Sequence, residues 1–423
     1  MNSNNFVVTE ATLFDGLGAS LDPLTSFLDV RGGRIAAVGE GAGRHTEGGR
    51  GETIAMPGRV VVPGLIDAHV HLELDPELRS PAAQLEVPVE IRRASMARRA
   101  AEMLAAGITT ARDCGGGFHG EHAVRDAIGA GRLRGPRLLC CGQPLTTPDG
   151  HCAFWGGAVT TRVEIDRMVA LQVEAGSDWI KVMATGGVFT PGSRSRDSQF
   201  DLPRLLSIVQ AAAREGRSVA AHCHGTEGIA HAVRAGVRTI EHASFAGPDG
   251  FGTEIDESLM REMAERDLWV SPTVNEGWGK RIVDGEGKET PFFGRMSGLL
   301  RTQRDHGIRF VASTDAGIPG VFHDRLVPGL QAFARFAGLR PVDVLQSATA
   351  ESALALGVEA ETGALEAGRS ADFLVLDGDP RRDLAALADP EYVVFRGEWL
   401  DRATRRTMVE DAKRAADEVG RPS

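Results

Sequence analysis

From Phe6 to Val62 short apolar runs alternate with glycine-rich turns: FVVTEATLF, FLDVRGGRIAAVGE and RVVVPGLIDAHVHL. Alternation over a few residues between turns predicts antiparallel strands. Near the other end GALEAGRSADFLVLDGDP and EYVVFRGEWL have the same character, so both ends are expected to build one small β-sandwich domain, 1–62 plus 358–400. From Asp401 the chain is charged and helix-prone, which predicts a peripheral helical tail over 401–423. Between Pro63 and Gly357 the pattern changes to short apolar runs alternating with longer helical periodicity, as in βα units on a parallel sheet. Eight runs are present: GLIDAHVHL, ITTARDC, PRLLCCG, WIKVMATGG, SVAAHCHG, RTIEHAS, LWVSPTV and IRFVASTDAG. Helical segments such as IRRASMARRAAEMLAAG, IDRMVALQVEAG and LPRLLSIVQAAAREG separate them. The predicted fold class is α/β, a TIM (β/α)8 barrel over 63–357 with the β-sandwich domain appended. A doubly wound open sheet is the rival, but its GxGxxG fingerprint after the first strand is missing.

Composition changes this picture little. With 423 residues, 42% hydrophobic and 25% charged, the chain has the profile of an ordinary globular protein with a sizeable core. Its formal net charge of -11 repels a phosphate backbone, so nucleic acid is not an expected partner. No basic, apolar leader is read at the start and no run is long enough to span a bilayer. The expectation is a cytoplasmic homo-oligomer acting on a small molecule, away from membranes. Five cysteines without a CxxC pair (Cys114, Cys140, Cys141, Cys152, Cys223) signal neither a disulfide framework nor a zinc ribbon. They read as buried reduced thiols.

Candidate chemistry lies at the ends of the predicted strands. His69 and His71 close the first run, and their alternation puts both imidazoles on one face, as two ligands of one metal require. The fourth run carries Lys181, the fifth ends at His222 and His224, the sixth at His242 and the eighth at Asp315. All fall where barrel active sites form. One strand histidine, or one HxH, is ordinarily a hydrogen-bonded core feature. Several imidazoles and an acid at consecutive strand ends would instead be desolvated with no shared partner unless a metal joins them. Such a set suits Zn, and also Mn, Fe or Co. Lys181 is the odd member, since an ammonium repels a metal and is costly inside WIKVMA unless neutralised or paired. Either it reacts with carbon dioxide to give a carbamate bridging two metals, or it pairs with a carboxylate such as Asp178 or Glu241.

GLIDAHVHL, WIKVMATGG, AAHCHG, TIEHAS and STDAG together resemble the ordered motifs of the amidohydrolase superfamily. VVPGLID entering the barrel and EAGRSADFLVLD after it extend the likeness over nearly the whole chain. AGITTARDCGG, IKVMATGG and TIEH are similar to the Xaa-Pro dipeptidase (prolidase-like) and imidazolonepropionase-like branch. The resemblance implies two divalent ions, zinc first, with His69, His71 and Asp315 on one, His222 and His242 on the other, and Lys181 carboxylated between them. Two departures concern the substrate. Where prolidase-like members often hold the substrate carboxylate with a Tyr, this chain has His224, and its one Tyr, Tyr392, lies outside the barrel. A Gly-Gly-His-Gly-like turn appears as DGHCAFWGG, which retains His151 and adds Phe154 and Trp155.

The function implied is metal-dependent hydrolysis of an amide or peptide-like C–N bond, on a dipeptide or N-acyl amino acid. Two cations lower the pKa of a bound water and polarise the carbonyl, and Asp315 is the expected proton carrier. His151 and His224 are the expected substrate contacts. Arg194 and Arg196 are weaker candidates for an acidic substrate end, and Phe154, Trp155 and Trp278 for an apolar wall. His119, His122, His231, His306, His323 and His45 are left over; His231 and His306 read as scaffold. The alternatives are hydrolysis of a cyclic amide of imidazolone type, a carbamate or a urea; a mononuclear centre with Lys181 structural; and a catalytically dead scaffold, which is expected to have lost ligands. GxSxG, HExxH and GxxxxGK[ST] motifs are missing.

Overall fold

The computed structural model describes residues 4–41, 51–266 and 268–420, so His45 lies outside the described residues. Eight parallel strands succeed one another: β1 (Leu65–Val70), β2 (Ile108–Asp113), β3 (Arg137–Cys140), β4 (Trp179–Met183), β5 (Ser218–Gly225), β6 (Thr239–Ala246), β7 (Trp269–Ser271) and β8 (Arg309–Phe310). The first three form one sheet and the last five another. Backbone bonds join the two. Leu145 N–H donates to Lys181 O and Met183 N–H to Leu145 O, both at 2.8 Å, just past β3. Across the other gap Ala68 N–H donates to Ala312 O at 3.0 Å and His71 N–H to Ala316 O at 2.7 Å. The result is a TIM-barrel-type fold with an extra β domain.

Its helices begin where local chemistry starts them. Thr161 and Glu164 form a capping box on Arg162–Glu174, and Asp201, followed by a proline in the first turn, caps Leu202–Arg214, so an otherwise free first-turn amide of each helix, Glu164 N–H and Arg204 N–H, finds an acceptor. Their apolar faces, with Ile165, Val169, Leu205 and Ile208, pack on Ile180, Val182 and Val219 in one continuous core.

Strand Val60–Pro63 runs through Gly64 directly into β1, and this continuity aims β1. It sits inside a six-stranded sheet between Phe373–Leu376 and Thr12–Phe14, so residues from both ends of the chain share one sheet. A four-stranded sheet from the N-terminal part lies against it across Phe6, Val8, Leu28, Val61, Phe373 and Trp399. Two pairings there are parallel, not antiparallel as the alternation predicts: Phe6–Thr9 with Glu52–Ala55 and Thr12–Phe14 with Val60–Pro63. Both join strands far apart in sequence, where no hairpin dictates direction. Helix Arg402–Val419 packs on helix Val89–Ala105, and Arg405 reaches across to the Ala105 carbonyl at 2.7 Å.

The eighth strand is shorter than the apolar run suggests. It stops at Phe310, and Asp315 lies beyond it in a left-handed conformation, φ 62°. The intervening segment is tied to β1 by side chains: Thr314 donates to Asp67 from its amide (3.1 Å) and hydroxyl (2.6 Å). His242 is likewise inside β6, at φ 69°, rather than at its end.

Candidate metal centre

The residues predicted from the strand ends meet at one mouth of the barrel. His69 Nε2 lies 3.3 Å from His71 Nε2, and Asp315 Oδ1 lies 3.3 Å from the first and 3.5 Å from the second. Across the site His222 Nδ1 and His242 Nε2 are 3.0 Å apart. Lys181 stands between the groups, with Nζ 3.4 Å from His69 Nε2 and 1% exposure. His224 and His151 flank the second pair: the His224 ring stacks on His242 at 4.5 Å and His151 lies 4.7 Å from His222.

The outer nitrogens of His69, His71, His222 and His242 are all engaged, and for the first three an acceptor-only partner fixes the tautomer. His69 Nδ1–H donates to Glu241 at 2.7 Å, His71 Nδ1–H to the Gly115 carbonyl at 2.8 Å and His222 Nε2–H to the Gly186 carbonyl at 3.1 Å. His242 Nδ1 pairs with the Thr273 hydroxyl at 2.8 Å. With their outer nitrogens donating to acceptors, neutral His69 and His71 turn lone pairs toward each other at 3.3 Å, and His222 turns one toward His242 Nε2. That arrangement is repulsive unless a cation lies among them, so the donor set fits divalent metal.

Electrostatics agree for three of the four. Burial and neighbouring imidazoles hold His222 and His242 well below the ordinary histidine value, and burial lowers His71, so these rings are neutral and metal-competent. For His69 burial also acts downward, but Cys114 and Asp315 outweigh it and its pKa is held up at about 9. Its pocket favours positive charge. Burial, then Lys181 and His71, push His151 down to about 3; burial, then His151 and Lys181, do the same to His224.

Neither salt-bridge partner considered for Lys181 reaches it. Asp178 pairs with Arg125 at 3.0 Å, and Glu241 with Arg112 at 2.7 Å. Among the described residues no carboxylate lies within 4.0 Å of Lys181 Nζ. Reading strand by strand missed the support behind His69. Arg112, fully buried in β2, donates to Glu241, to Ala68 O (2.8 Å) and to Thr239 Oγ1 (2.9 Å). The signal was an arginine inside an otherwise apolar strand, ITTARD.

A cavity of about 420 Å³ opens over the centre. Trp155, Phe189, Phe251 and Trp278 line it, with Arg79 from the loop after β1 and Ile318 from the segment after Asp315. Phe154 packs behind Trp155 and Phe189 instead of lining the cavity. Arg194 and Arg196 border an adjoining depression that shares Val188 and Phe251 with the cavity, Arg194 paired with Asp197 at 2.7 Å. His323 is behind His71, bonded to its carbonyl at 3.1 Å; His119 and His122 pair with Gln172 and Ser177 away from the centre. His231 and His306 are scaffold contacts. All five cysteines are buried and free.

A model of the amidohydrolase family matches residues 60–400. The chain belongs to that family. This amidohydrolase is 28% identical over 373 residues to the ochratoxinase of Aspergillus niger, covering 80% of this chain and 75% of the relative. It is 24% identical over 389 residues to the imidazolonepropionase of Chloroflexus aggregans, covering 84% of each. Its fold superposes on a solved Xaa-Pro dipeptidase with methionine bound in the active site at a TM-score of 0.80 and 26% identity, over 94% of this chain and all of that one. The amidohydrolase is thus a hydrolase of C–N bonds from a family that binds divalent metal ions. Among the described residues no helix is long and apolar enough to cross a membrane.

Proposed function

We propose that this amidohydrolase cleaves the amide bond of a dipeptide or N-acyl amino acid at a centre of two divalent ions, zinc first. In this reading His69, His71 and Asp315 hold one ion, His222 and His242 the other, and Lys181 is N6-carboxylated between them. The observation that carries it is the convergence of four imidazoles, three with a lone pair directed inward, and Asp315 around a buried lysine that lacks a carboxylate partner. Carboxylation forms a bond between the Lys181 amine nitrogen and the carbon of carbon dioxide; starting from the ammonium it releases two protons, and it would turn an uncompensated buried cation into an anion able to serve two metals. The proposed divisions are 1–62 plus 358–400 for the β domain, 63–357 for the barrel and 401–423 for the tail.

When bound, the ions supply an ionised water and a Lewis acid at the carbonyl. Asp315 approaches both imidazoles through Oδ1, which leaves Oδ2 to accept the proton and pass it to the departing nitrogen. Arg112 and Glu241 hold His69 in its ligand tautomer. His151, whose Nδ1 is buried with no hydrogen-bond partner among the described residues, and His224 are the proposed substrate contacts. The aromatic walls suit a bulky apolar group, and the Xaa-Pro dipeptidase and ochratoxinase likenesses support amide substrates. The imidazolonepropionase likeness keeps a cyclic amide as the second reading.

The test is a screen of metal-reconstituted protein against N-acyl amino acids, dipeptides, cyclic amides and carbamates, with metal analysis of Asp315→Asn and Lys181→Ala. Asp315→Asn is expected to keep the fold and lose at least about a hundredfold in kcat. Lys181→Ala should lose metal and activity together, with partial rescue by propionate. One ion per chain in a fully active wild type would overturn the two-metal assignment.

A further inference from the structure

The cavity needs a fixed charge if its substrate carries a carboxylate, and the two histidines first considered for that task are poorly placed to supply one. His224 is sandwiched between His242 and Phe251, at 4.5 and 4.8 Å, with Nδ1 bonded to Ser244 at 2.8 Å. His151 lies beside His222 with the metal-facing groups. Of the arginines around the mouth, Arg92 is paired with Glu73, Arg99 with Asp75, and Arg194 and Arg196 face Asp197 outside the cavity. Arg79 differs from all of these. It lines the catalytic cavity, is exposed, and has no ion pair or hydrogen bond through its guanidinium among the described residues.

Its backbone is nevertheless held from both sides. Before it, Gln84 accepts from Asp75 N–H at 2.9 Å and donates to Asp75 O at 2.8 Å. After it, Ser80 caps helix Pro81–Glu86. The same loop packs on the segment that carries Asp315: Gly320 N–H donates to Pro76 O at 2.8 Å, and a Cβ at Gly317 would lie 2.4 Å from His71 O. Arg79 therefore belongs to the side of the cavity from which the proton carrier serves the departing nitrogen. The aromatic side chains Phe189 and Phe251 are carried by the loops after β4 and after β6.

We infer that Arg79 anchors the carboxylate of the departing amine, so that the preferred substrates are amides of amino acids whose apolar acyl group occupies the aromatic part of the cavity. A planar guanidinium takes a carboxylate through two parallel hydrogen bonds and keeps its charge at every working pH. The inference rests on the N-acyl amino acid reading and adds to it a specificity residue and a direction of binding.

The experiment compares N-benzoyl-L-leucine with N-benzoyl-L-leucinol, which differ at the carboxylate and release the same benzoate, in wild type, Arg79→Met and Arg79→Lys loaded with zinc. Wild type should favour the acid over the alcohol by at least tenfold in kcat/KM. Arg79→Met should bring that ratio near one, chiefly through a higher KM for the acid, and Arg79→Lys should recover part of it. An equal loss on both compounds, or an unchanged ratio in Arg79→Met, overturns the assignment. Should neither compound turn over in wild type, the amide reading for this class fails on its own. Quenching of the cavity tryptophans Trp155 and Trp278 by N-benzoyl-L-leucine then decides the Arg79 question: at least tenfold weaker binding in Arg79→Met supports it, and equal binding rejects it.

Discussion

Glu241 shows how one side chain carries structure and chemistry together. Its two oxygens divide between Arg112, at 2.7 Å, and His69, at 2.7 Å, in a site with no exposure. Burial alone would raise its pKa, but Arg112 and then His69 outweigh burial and hold it well below the usual value of 4.5. A carboxylate depressed on folding stabilises fully above that unfolded value, and its contribution is lost as pH falls through the folded one. Glu241→Gln removes the charge and leaves Arg112 buried and uncompensated, which is expected to cost about 3 to 5 kcal/mol. Denaturant unfolding at pH 7 measures it, and a loss under 1 kcal/mol would show that the pair is not the support assigned here. The same variant should hold metal less tightly, because His69 loses the partner that fixes its ring.

At the scale of elements, the loop after β2 sets the position of His71. Gly115, at φ 106°, presents its carbonyl to His71 Nδ1, and a Cβ there would lie 2.1 Å from the Gly142 carbonyl. Both the left-handed backbone and the close approach to the loop after β3 require glycine. Gly115→Ala is expected to destabilise by about 2 kcal/mol or more and to weaken metal binding. A melting curve with metal titration reads both, and unchanged values would mean that the loop yields without moving His71. The short β8 is a second case. An apolar run such as IRFVASTDAG looks like one strand through Asp315, yet the regular strand ends at Phe310, and beyond it the chain is held to β1 by separate backbone bonds and by Asp67, which binds Thr314.

In the whole molecule a divalent centre would tie together β1, β4, β5, β6 and the segment after β8, so metal should stabilise the entire fold. Chelator-treated protein is expected to melt about 5 to 10 °C below the zinc-reconstituted form, since a ligand at a thousand times its Kd contributes about 4 kcal/mol. Scanning fluorimetry checks this, and coincident curves would argue against a structural hold by metal. The convergence of His69, His71, Lys181, His222, His242 and Asp315 was legible in the sequence because a barrel turns the C-terminal parts of its strands and the residues just after them toward one mouth. The sharing of one sheet by both chain ends was legible for a similar reason, as matching apolar runs flank the barrel. The parallel pairings of the β domain were not, because alternation records which face is buried and says nothing of the neighbour's direction. Arg112 behind His69, Arg79 in the cavity and Phe154 outside it were decided only by tertiary structure. Sequence pattern shows toward which mouth of the barrel a strand residue lies, whereas the partner of a side chain reaching across a barrel or out of a loop depends on backbone paths that meet only in space.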